Sequence, residues 1–374
     1  MCYEEFMSLF EPYTLPVSGV TLPNRLVLAP MTTYSGTPEG QISPGEVALL
    51  QRRAAGGFGT VITAACYVDR AGQAFINQWG CDNDDKLDSL RQAASAIKAE
   101  GAIAILQIHD GGRMADPKVL IEPAPRSASA VAAERQGSLE PRAMSAAEVE
   151  KSIADFVAAA KRAAVAGFDG VEIHGANTYL IQQFFSPHSN RRDDEWGGDL
   201  ERRLRYPITL AKAVREAVGD QFIVGYRFSP EEIENPGITI EDTLVLVDRL
   251  ADCRLDYLHI SLWNYAAGSM RNPESTQRLS PLVIEKLAGR VPLMAVGSIE
   301  TPEQAELPLH DGAELVALGR VALWEPDWPN KVKAGRSDLR QALPAKDGDV
   351  ICSLPKPLYE LLIQRTGWVK VAAE

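Results

Sequence analysis

The sequence has few cysteines, and they show no regular spacing. Only five of its 374 residues are Cys, and no two of them form a Cys-x-x-Cys pair. An odd, scattered set argues against a disulfide framework, a structural zinc site and an iron–sulfur cluster, so we expect no metal. We expect free thiols, mostly buried, at the following positions: Cys2, Cys66, Cys81, Cys253 and Cys352.

Long apolar runs and basic clusters are also missing. No run approaches the ~18 apolar residues of a membrane-spanning helix. The first residues, MCYEEF, lack the basic start and apolar core of a signal peptide. We therefore expect a cytoplasmic protein with no membrane partner. The formal net charge is −12 without a concentrated basic patch, which argues against nucleic acid as a partner because phosphate binding draws on clustered Lys and Arg.

The sequence contains no Gly-x-Gly-x-x-Gly turn of the kind that opens a dinucleotide-binding sheet. It contains instead eight short apolar runs that alternate with helical patterns. Near-continuous apolar runs are typical of parallel strands buried on both faces. Eight such units favour an α/β fold, a closed (β/α)8 TIM barrel, over the alternative of an open doubly wound sheet. The predicted strands are 25–29, 60–64, 102–108, 170–174, 222–227, 257–260, 293–296 and 315–318.

Helix starts and stops lie between these strands. Ser43, Ser145 and Thr301 each begin a capping-box pattern, and Pro occupies the first helical position after Ser43 and Thr301. Glycines follow Ala- and Leu-rich stretches at positions 56, 101, 167, 219 and 289, which predicts helix ends there.

Two segments are too long to be simple connections. Residues 109–144, after the third strand, predict a loop or hairpin that caps the barrel mouth, and residues 262–278 are predicted to edge the same mouth. We assign residues 1–345 to the barrel. Residues 346–374 form a C-terminal tail that is expected to pack on the barrel bottom or on a neighbouring subunit. Oligomerisation stays open, with Trp368 as a candidate contact in a homo-oligomer.

The carboxyl ends of all strands in a barrel share one mouth, so residues at these ends are candidates for a site. Gly297 and Ser298 follow the seventh strand, and Gly319 and Arg320 follow the eighth. Their backbone N–H groups and guanidinium suit a phosphate. The alternative interpretation is a pair of tight turns with a surface arginine.

Other strand ends supply hydrogen-bonding groups. Gln107 both donates and accepts in one plane and is able to read a pyrimidine-like edge, while Arg227 is suited to stabilising an anionic ring. Thr32 offers a hydroxyl to a ring carbonyl. Each residue alone is more often structural, but together they favour a flat, phosphorylated cofactor.

The fourth strand ends in His174, followed closely by Asn177 and Tyr179. These residues offer two hydrogen-bond donors and an acid, which suits a reaction in which charge builds on a substrate oxygen and a nearby carbon needs a proton. Singly, they are typical of a core histidine, a turn residue and half-buried packing. Their combination beside Gln107 and Arg227 favours catalysis.

The segment HGANTYLIQQFFSPHSNRRDDEWGGDLERR (174–203) resembles the hallmark of the old yellow enzyme family of FMN-dependent ene-reductases. Further segments in register are LPNRLVLAPMTTYS (22–35), LQIHDGGR (106–113), VGYRFSP (224–230), AVGSIETPEQ (295–304) and ALGRVALWEPDWPNK (317–331). The resemblance covers roughly residues 8–340. It implies a barrel, within residues 1–345, that holds FMN non-covalently at its carboxyl mouth and takes NADH or NADPH as reductant.

The resemblance also implies a role for each matched cofactor residue. Thr32 would hydrogen-bond the flavin C4 carbonyl, Gln107 would hold the pyrimidine edge, and Arg227 would favour the reduced anion. The flavin would be lined by Pro30, Met31 and Ala64, and its phosphate would be held by Gly297, Ser298, Gly319 and Arg320.

The implied reaction is reduction of the C=C bond of an α,β-unsaturated carbonyl compound. His174 and Asn177 would bind the carbonyl oxygen, and Tyr179 would protonate the α-carbon after hydride transfer from flavin N5. Tyr34 would lie in the substrate pocket. Two alternatives stay open: an FMN reductase of nitro compounds, quinones or other electrophilic acceptors, and a non-catalytic flavin-binding barrel.

Overall fold

A closed barrel of eight parallel strands forms the centre of the protein. The computed structural model describes residues 8–365 and 367–372. The last barrel strand pairs with the first, which confirms the (β/α)8 barrel and excludes an open sheet. In chain order the strands are β1 Leu26–Leu28, β2 Thr60–Ile62, β3 Ile103–His109, β4 Gly170–Gly175, β5 Ile223–Phe228, β6 Tyr257–Ile260, β7 Leu293–Val296 and β8 Leu315–Leu318.

Helices surround the strands and follow them in alternation. The helices are α1 Pro44–Ala55, α2 Leu87–Ala99, α3 Ala146–Val165, α4 Leu180–Phe185, α5 Leu200–Val218, α6 Ile240–Ala251, α7 Leu279–Leu287, α8 Pro302–Asp311, α9 Arg320–Trp324, α10 Trp328–Lys333, α11 Gly348–Ile351 and α12 Lys356–Gln364. Their apolar faces pack on the outside of the strands and form the larger core. The described residues include no helix long and apolar enough to cross a membrane.

Most of the predicted helix starts are present. Ser145 and Thr301 form complete capping boxes with the residues three positions on. The prediction at Ser43 is only half right, because Ser43 accepts the backbone N–H of Glu46 but the Glu46 side chain does not return to the cap. That carboxylate is buried instead against the Thr33 hydroxyl and the Trp79 indole N–H.

The segment 109–144 is not a hairpin. Its two short strands, Arg126–Ser127 and Arg142–Ala143, pair in parallel. Parallel pairing requires a crossover, which residues 128–141 provide, whereas a hairpin would make the strands antiparallel. Arg126 fixes the segment to the barrel rim through ion pairs with Asp69 (2.7 Å) and Asp110 (2.5 Å).

The C-terminal tail lies on the carboxyl-end side of the barrel, so the expectation that it covers the bottom is wrong. Leu358 and Trp368 line cavities together with Met31 at the end of β1. The antiparallel pair Tyr13–Thr14 and Thr21–Leu22 lies near the other end, and its Leu15 and Leu22 join the apolar cluster inside the barrel. Trp368 therefore contacts its own chain.

The cysteines agree with the expectation where the structure describes them. Cys66, Cys81, Cys253 and Cys352 are buried free thiols. Cys2 lies outside the described residues.

Candidate active site

His174 lies near the end of β4, and its buried ring packs against those of His109 and Tyr179, with centroids 5.4 and 5.0 Å away. Its Nδ1 accepts the backbone N–H of Ala176 at 3.3 Å. Burial, with smaller contributions from His109 and Arg227, holds the pKa of His174 well below its usual range. The ring is therefore neutral, and because Nδ1 is the acceptor, the proton is assigned to Nε2. His174 is thus prepared as a hydrogen-bond donor.

Asn177 follows in a tight turn. Asn177 and Thr178 both adopt positive φ, at 57° and 65°, which reverses the chain between β4 and α4. Ser261 donates to Asn177 Oδ1 at 2.8 Å, and Arg227 donates to the same Ser261 hydroxyl at 3.1 Å. The acceptor end of the amide is therefore occupied, and Nδ2 has no partner among the described residues.

Tyr179 is the residue before α4, and the turn places its ring over His174. The ring centroids of His174 and Tyr179 are 5.0 Å apart, and those of His109 and Tyr179 are 4.3 Å apart. Phe75 joins this cluster at 6.1 Å from Tyr179 and connects it to Tyr34 at 5.6 Å. Burial raises the pKa of Tyr179, so its phenol stays protonated.

A cavity of about 820 Å³ opens beside this cluster at the carboxyl ends of the strands. Its volume lies in the range of small-molecule and cofactor sites. The predicted site residues that line it are Pro30, Met31, Asn177, Arg227, Gly297, Ser298, Gly319 and Arg320. The structure therefore brings together predicted residues from the ends of β1, β5, β7 and β8 with Asn177 after β4.

One end of this cavity is built from backbone conformation and one cation. Gly297 has φ +145°, and a Cβ there would lie 2.5 Å from the backbone nitrogen of Tyr265. Arg320 donates to the Ser298 hydroxyl and lies over the Trp263 ring at 4.6 Å. The guanidinium is thus held beside two glycine turns, as a phosphate site requires.

Six predicted residues do not line the large cavity: Thr32, Tyr34, Ala64, Gln107, His174 and Tyr179. Thr32 and Ala64 line two smaller cavities of about 20 and 10 Å³, and Tyr34 lines the second of these. Met31 lines both the large cavity and the first small one, so its side chain lies between them.

Gln107 lies deeper, on the inner face of β3. Its Nε2 donates to Glu172 Oε1 at 2.7 Å. Glu172 Oε2 in turn accepts from His259 Nδ1 at 2.9 Å. All three side chains are at most 1% exposed, and Arg227 lies next to them on β5.

The sequence model of the NADH:flavin oxidoreductase / NADH oxidase family matches residues 8–338. The chain belongs to this family. The fold is also that of an old yellow enzyme homologue from Zymomonas mobilis, with a TM-score of 0.78 and 25% identity over 89% of this chain and 94% of that one. Morphinone reductase matches with a TM-score of 0.76 and 28% identity over 89% and 91% of the two chains. The resemblance to the old yellow enzymes is confirmed.

The relatives include three proteins that are more than 40% identical in sequence to this chain. The chain is 44% identical over 363 residues to NADH:fumarate oxidoreductase of Klebsiella pneumoniae (strain 342), covering 94% of this chain and 38% of that protein. It is 42% identical over 357 residues to NADH:acrylate oxidoreductase of Vibrio harveyi, covering 92% and 35%. It is 41% identical over 369 residues to a probable NADH-dependent flavin oxidoreductase of Bacillus subtilis (strain 168), covering 98% of both. The chain spans little more than a third of the first two relatives.

The chain therefore belongs to a family of FMN-dependent oxidoreductases, and its relatives include an NADH oxidase of Thermoanaerobacter brockii and an NADPH dehydrogenase of Geobacillus thermodenitrificans. The site fits that cofactor. Arg227 Nε and His109 Nε2 are buried without a hydrogen-bond partner among the described residues, and unpaired buried polar atoms of this kind need a ligand or water. The glycine turns and Arg320 supply the phosphate end.

Sequence reasoning assigned no role in the site to several residues that shape it: Phe75, His109, Glu172, His259, Trp263 and Trp368. A signal existed for His109, Glu172 and His259, because each is a polar residue inside an apolar strand. Alternation places Gln107 with His109 and Glu172 with His174 on the same inner faces. For Phe75, Trp263 and Trp368, which lie outside the strands, the local sequence carries no such signal.

Proposed function

We propose that this protein reduces the C=C bond of α,β-unsaturated carbonyl compounds at the expense of NAD(P)H. Bound FMN supplies the hydride for such a reaction. The observation that carries the proposal is the state of two side chains at the end of β4. The acceptor atoms of His174 and Asn177 are both occupied by protein donors, at 3.3 and 2.8 Å. Their remaining N–H groups are free to donate to one substrate oxygen.

Such donors stabilise the charge that develops on a carbonyl oxygen when hydride adds to the β-carbon. Because the groups are already oriented, little reorganisation is needed as the charge forms. His174 stays neutral through burial and donates through Nε2. Asn177 is held through Ser261, which is itself held by Arg227. The two donors are therefore positioned by different parts of the protein, one by its own strand end and one by β5 and the residue after β6.

Tyr179 is proposed as the acid that protonates the α-carbon. Its phenol is protonated because burial raises its pKa. It also lies against the imidazoles of His174 and His109. An acid next to the oxyanion donors is placed to deliver its proton to the carbon adjacent to the carbonyl.

We also propose the cofactor contacts. Gln107 and Thr32 would bind the pyrimidine edge and C4 carbonyl, and Arg227 would face the side that gains charge on reduction. The remaining proposed contacts are Pro30, Met31, Ala64, Gly297, Ser298, Gly319 and Arg320, with Tyr34 in the substrate pocket. FMN affinity, measured by recovery of flavin fluorescence on dissociation, tests each of these positions.

Unsaturated carboxylates are a second candidate class of acceptor. Two relatives above 40% identity are named for fumarate and acrylate, which carry a C=C bond next to a carboxyl group. Arg227 and Arg320, the two cations that line the cavity among the described residues, are proposed to contact FMN, so His174 and Asn177 would bind the carboxylate of such a substrate. Because the names of the three relatives described above refer to NADH, we propose NADH as the preferred reductant.

The test is an anaerobic titration of the FMN-loaded protein with NADH and NADPH, followed by stopped-flow mixing with a panel of acceptors. The panel contains 2-cyclohexen-1-one, fumarate, acrylate, a nitro compound and a quinone. Rapid reoxidation by the enone supports the proposal. Reoxidation only by the nitro compound or quinone overturns it, and bleaching by neither nucleotide would indicate a non-catalytic flavin-binding barrel.

A further inference from the structure

Glu172 is a carboxylate in the middle of the barrel. It lies on β4 two residues before His174, so alternation directs both side chains to the interior. In register it lies between Gln107 of β3 and Gly225 of β5. Glu172 is 0% exposed. An ionised carboxylate is costly in such a position unless it is paired and hydrogen-bonded.

Glu172 determines the orientation of the Gln107 amide. A carboxylate only accepts hydrogen bonds, so the group that faces it at 2.7 Å must be the amide nitrogen of Gln107. The Gln107 carbonyl oxygen is consequently directed away from Glu172. It is available to accept a hydrogen bond, while the opposite orientation of the amide would set two acceptors against each other.

The second oxygen of Glu172 accepts from His259 Nδ1 at 2.9 Å. Burial lowers the pKa of His259, so its ring is neutral and Nδ1 carries the proton. Arg227, which pairs with His259 and His174 in the strand register, is the nearest permanent cation on the inner faces of β3 to β6. Burial raises the pKa of Glu172, but His259 and Arg227 outweigh it and hold that pKa below its ordinary value.

We propose that Glu172 is a positioning residue for the flavin. It fixes Gln107 as a hydrogen-bond acceptor for the ring imide N–H, and it offsets the charge of Arg227 on which the reduction potential depends. This inference rests on the proposed contacts of Gln107 and Arg227 with FMN. A residue that only filled the barrel would influence neither property.

The orientation is tested with N3-methyl-FMN, which lacks the imide N–H. We expect the wild-type protein to bind FMN at least about tenfold more tightly than the methylated analogue, because a neutral hydrogen bond is lost and an acceptor is left unpaired. E172Q preserves an acceptor for Gln107 and should keep most of this difference. E172M removes the acceptor, so the Gln107 amide is free to turn, and the difference should fall to a few-fold.

The charge is tested by the midpoint potential. In E172Q the cation Arg227 loses its counter-charge, so the more negative reduced form of the cofactor should be favoured over the oxidised form by about tenfold. A tenfold change corresponds to about 30 mV in the positive direction for a two-electron couple. The control is E325Q, which neutralises another buried carboxylate (1% exposed), paired with Lys331 outside the barrel. E325Q should leave both the potential and the discrimination unchanged.

Two results would overturn the inference. Equal affinity of the wild type for FMN and N3-methyl-FMN excludes the acceptor orientation of Gln107, and this measurement does not depend on the folding of any variant. An E172Q potential equal to that of E325Q excludes the electrostatic role. Both readouts are independent of enone turnover, so they separate a failure of this inference from a failure of the proposed reaction.

Discussion

The inner surface of the barrel has two halves of opposite character. The half formed by β3 to β6 carries polar side chains: Gln107, His109, Glu172, His174, Arg227 and His259. The half formed by β7, β8, β1 and β2 is apolar, with Val27, Ala29, Ile62, Met294, Val296, Leu315 and Ala317 among its residues. Both halves have the same strand geometry, so the difference lies in the side chains alone.

The two halves also hold their functional groups in different ways. On the polar half, hydrogen bonds between side chains fix each group, as with Glu172 and Gln107. On the apolar half, backbone conformation does so, as at Gly297 with φ +145°. We propose that His174, Asn177 and Tyr179 after β4 provide the chemistry and that the turns after β7 and β8 hold the phosphate of the cofactor. Substitutions in one of these two sets should therefore spare the property of the other.

The largest effect is expected for Tyr179→Phe on the polar half. Loss of a general acid costs ~10²–10⁴ in rate, so reoxidation by enones should slow by that factor while reduction by NADH is spared. Stopped-flow of the two half-reactions measures this, with Tyr13→Phe at the opposite end of the barrel as the control. Equal slowing of both half-reactions would exclude the proton-donor role.

His174→Ala or Asn177→Ala should slow the oxidative half-reaction by ~10²–10³, the cost of one oxyanion donor. FMN should stay bound, because the proposed phosphate contacts lie at the turns after β7 and β8. His310→Ala, at a side chain that is 77% exposed on α8, is the matched control. If enone reduction remained at the wild-type rate, the assigned donors would be wrong.

Arg320→Ala tests the apolar half. Removal of charge-assisted hydrogen bonds to a phosphate should weaken FMN binding about 10- to 100-fold. Riboflavin, which has no phosphate, should lose much less affinity, and this comparison identifies the contact. Arg336→Ala provides an exposed control. An equal loss of affinity for FMN and riboflavin would show that Arg320 contacts a part of the ligand other than the phosphate.

His109 should make the polar half sensitive to acid. Burial lowers its pKa to about 3, whereas the unfolded chain has an ordinary value of about 6.5. Below pH about 6.5 the unfolded chain therefore binds one more proton than the folded chain. The equilibrium constant for unfolding then rises about tenfold for each unit by which the pH falls. Urea unfolding of the wild type and His109→Gln at pH 7, 6 and 5 should show a difference in the free energy of unfolding that becomes smaller as the pH falls. A difference in the free energy of unfolding that does not change with pH would contradict the neutral state of His109.

The smallest effect is expected at the helix caps. Thr301→Ala on α8 and Ser145→Ala on α3 each remove a capping box, which costs about 1 kcal/mol in the free energy of unfolding. Thermal unfolding measures both losses. Neither variant should alter the half-reactions, because these helices lie outside the barrel on opposite halves. A changed rate of enone reduction in either variant would show that loss of a helix cap alters the active site.

The strands and the site differ in how far the sequence predicts them. Predicted strands 257–260, 293–296 and 315–318 agree with the observed bounds to the residue, because each apolar run is bounded by turn residues. The prediction for Glu46 fails because a capping box is a local pattern, whereas a buried carboxylate near Trp79 depends on a contact between distant segments.

The same limit applies within the site. His174, Asn177 and Tyr179 form one local motif, and their identification needs no tertiary information. The role proposed for Glu172 rests on its hydrogen bond with Gln107, 65 positions away in the chain. The position of the tail likewise follows from packing, because an amphipathic segment such as α12 fits several apolar surfaces of the barrel.

The contact between Trp368 and the cavity also bears on biosynthesis. All eight strands are synthesised before Trp368. Until then the large cavity lacks the part of its wall that Trp368 forms beside Met31 and Arg320. We expect flavin captured at that stage to exchange with free flavin in solution. Tighter retention is expected once Trp368 has been synthesised and lines the cavity.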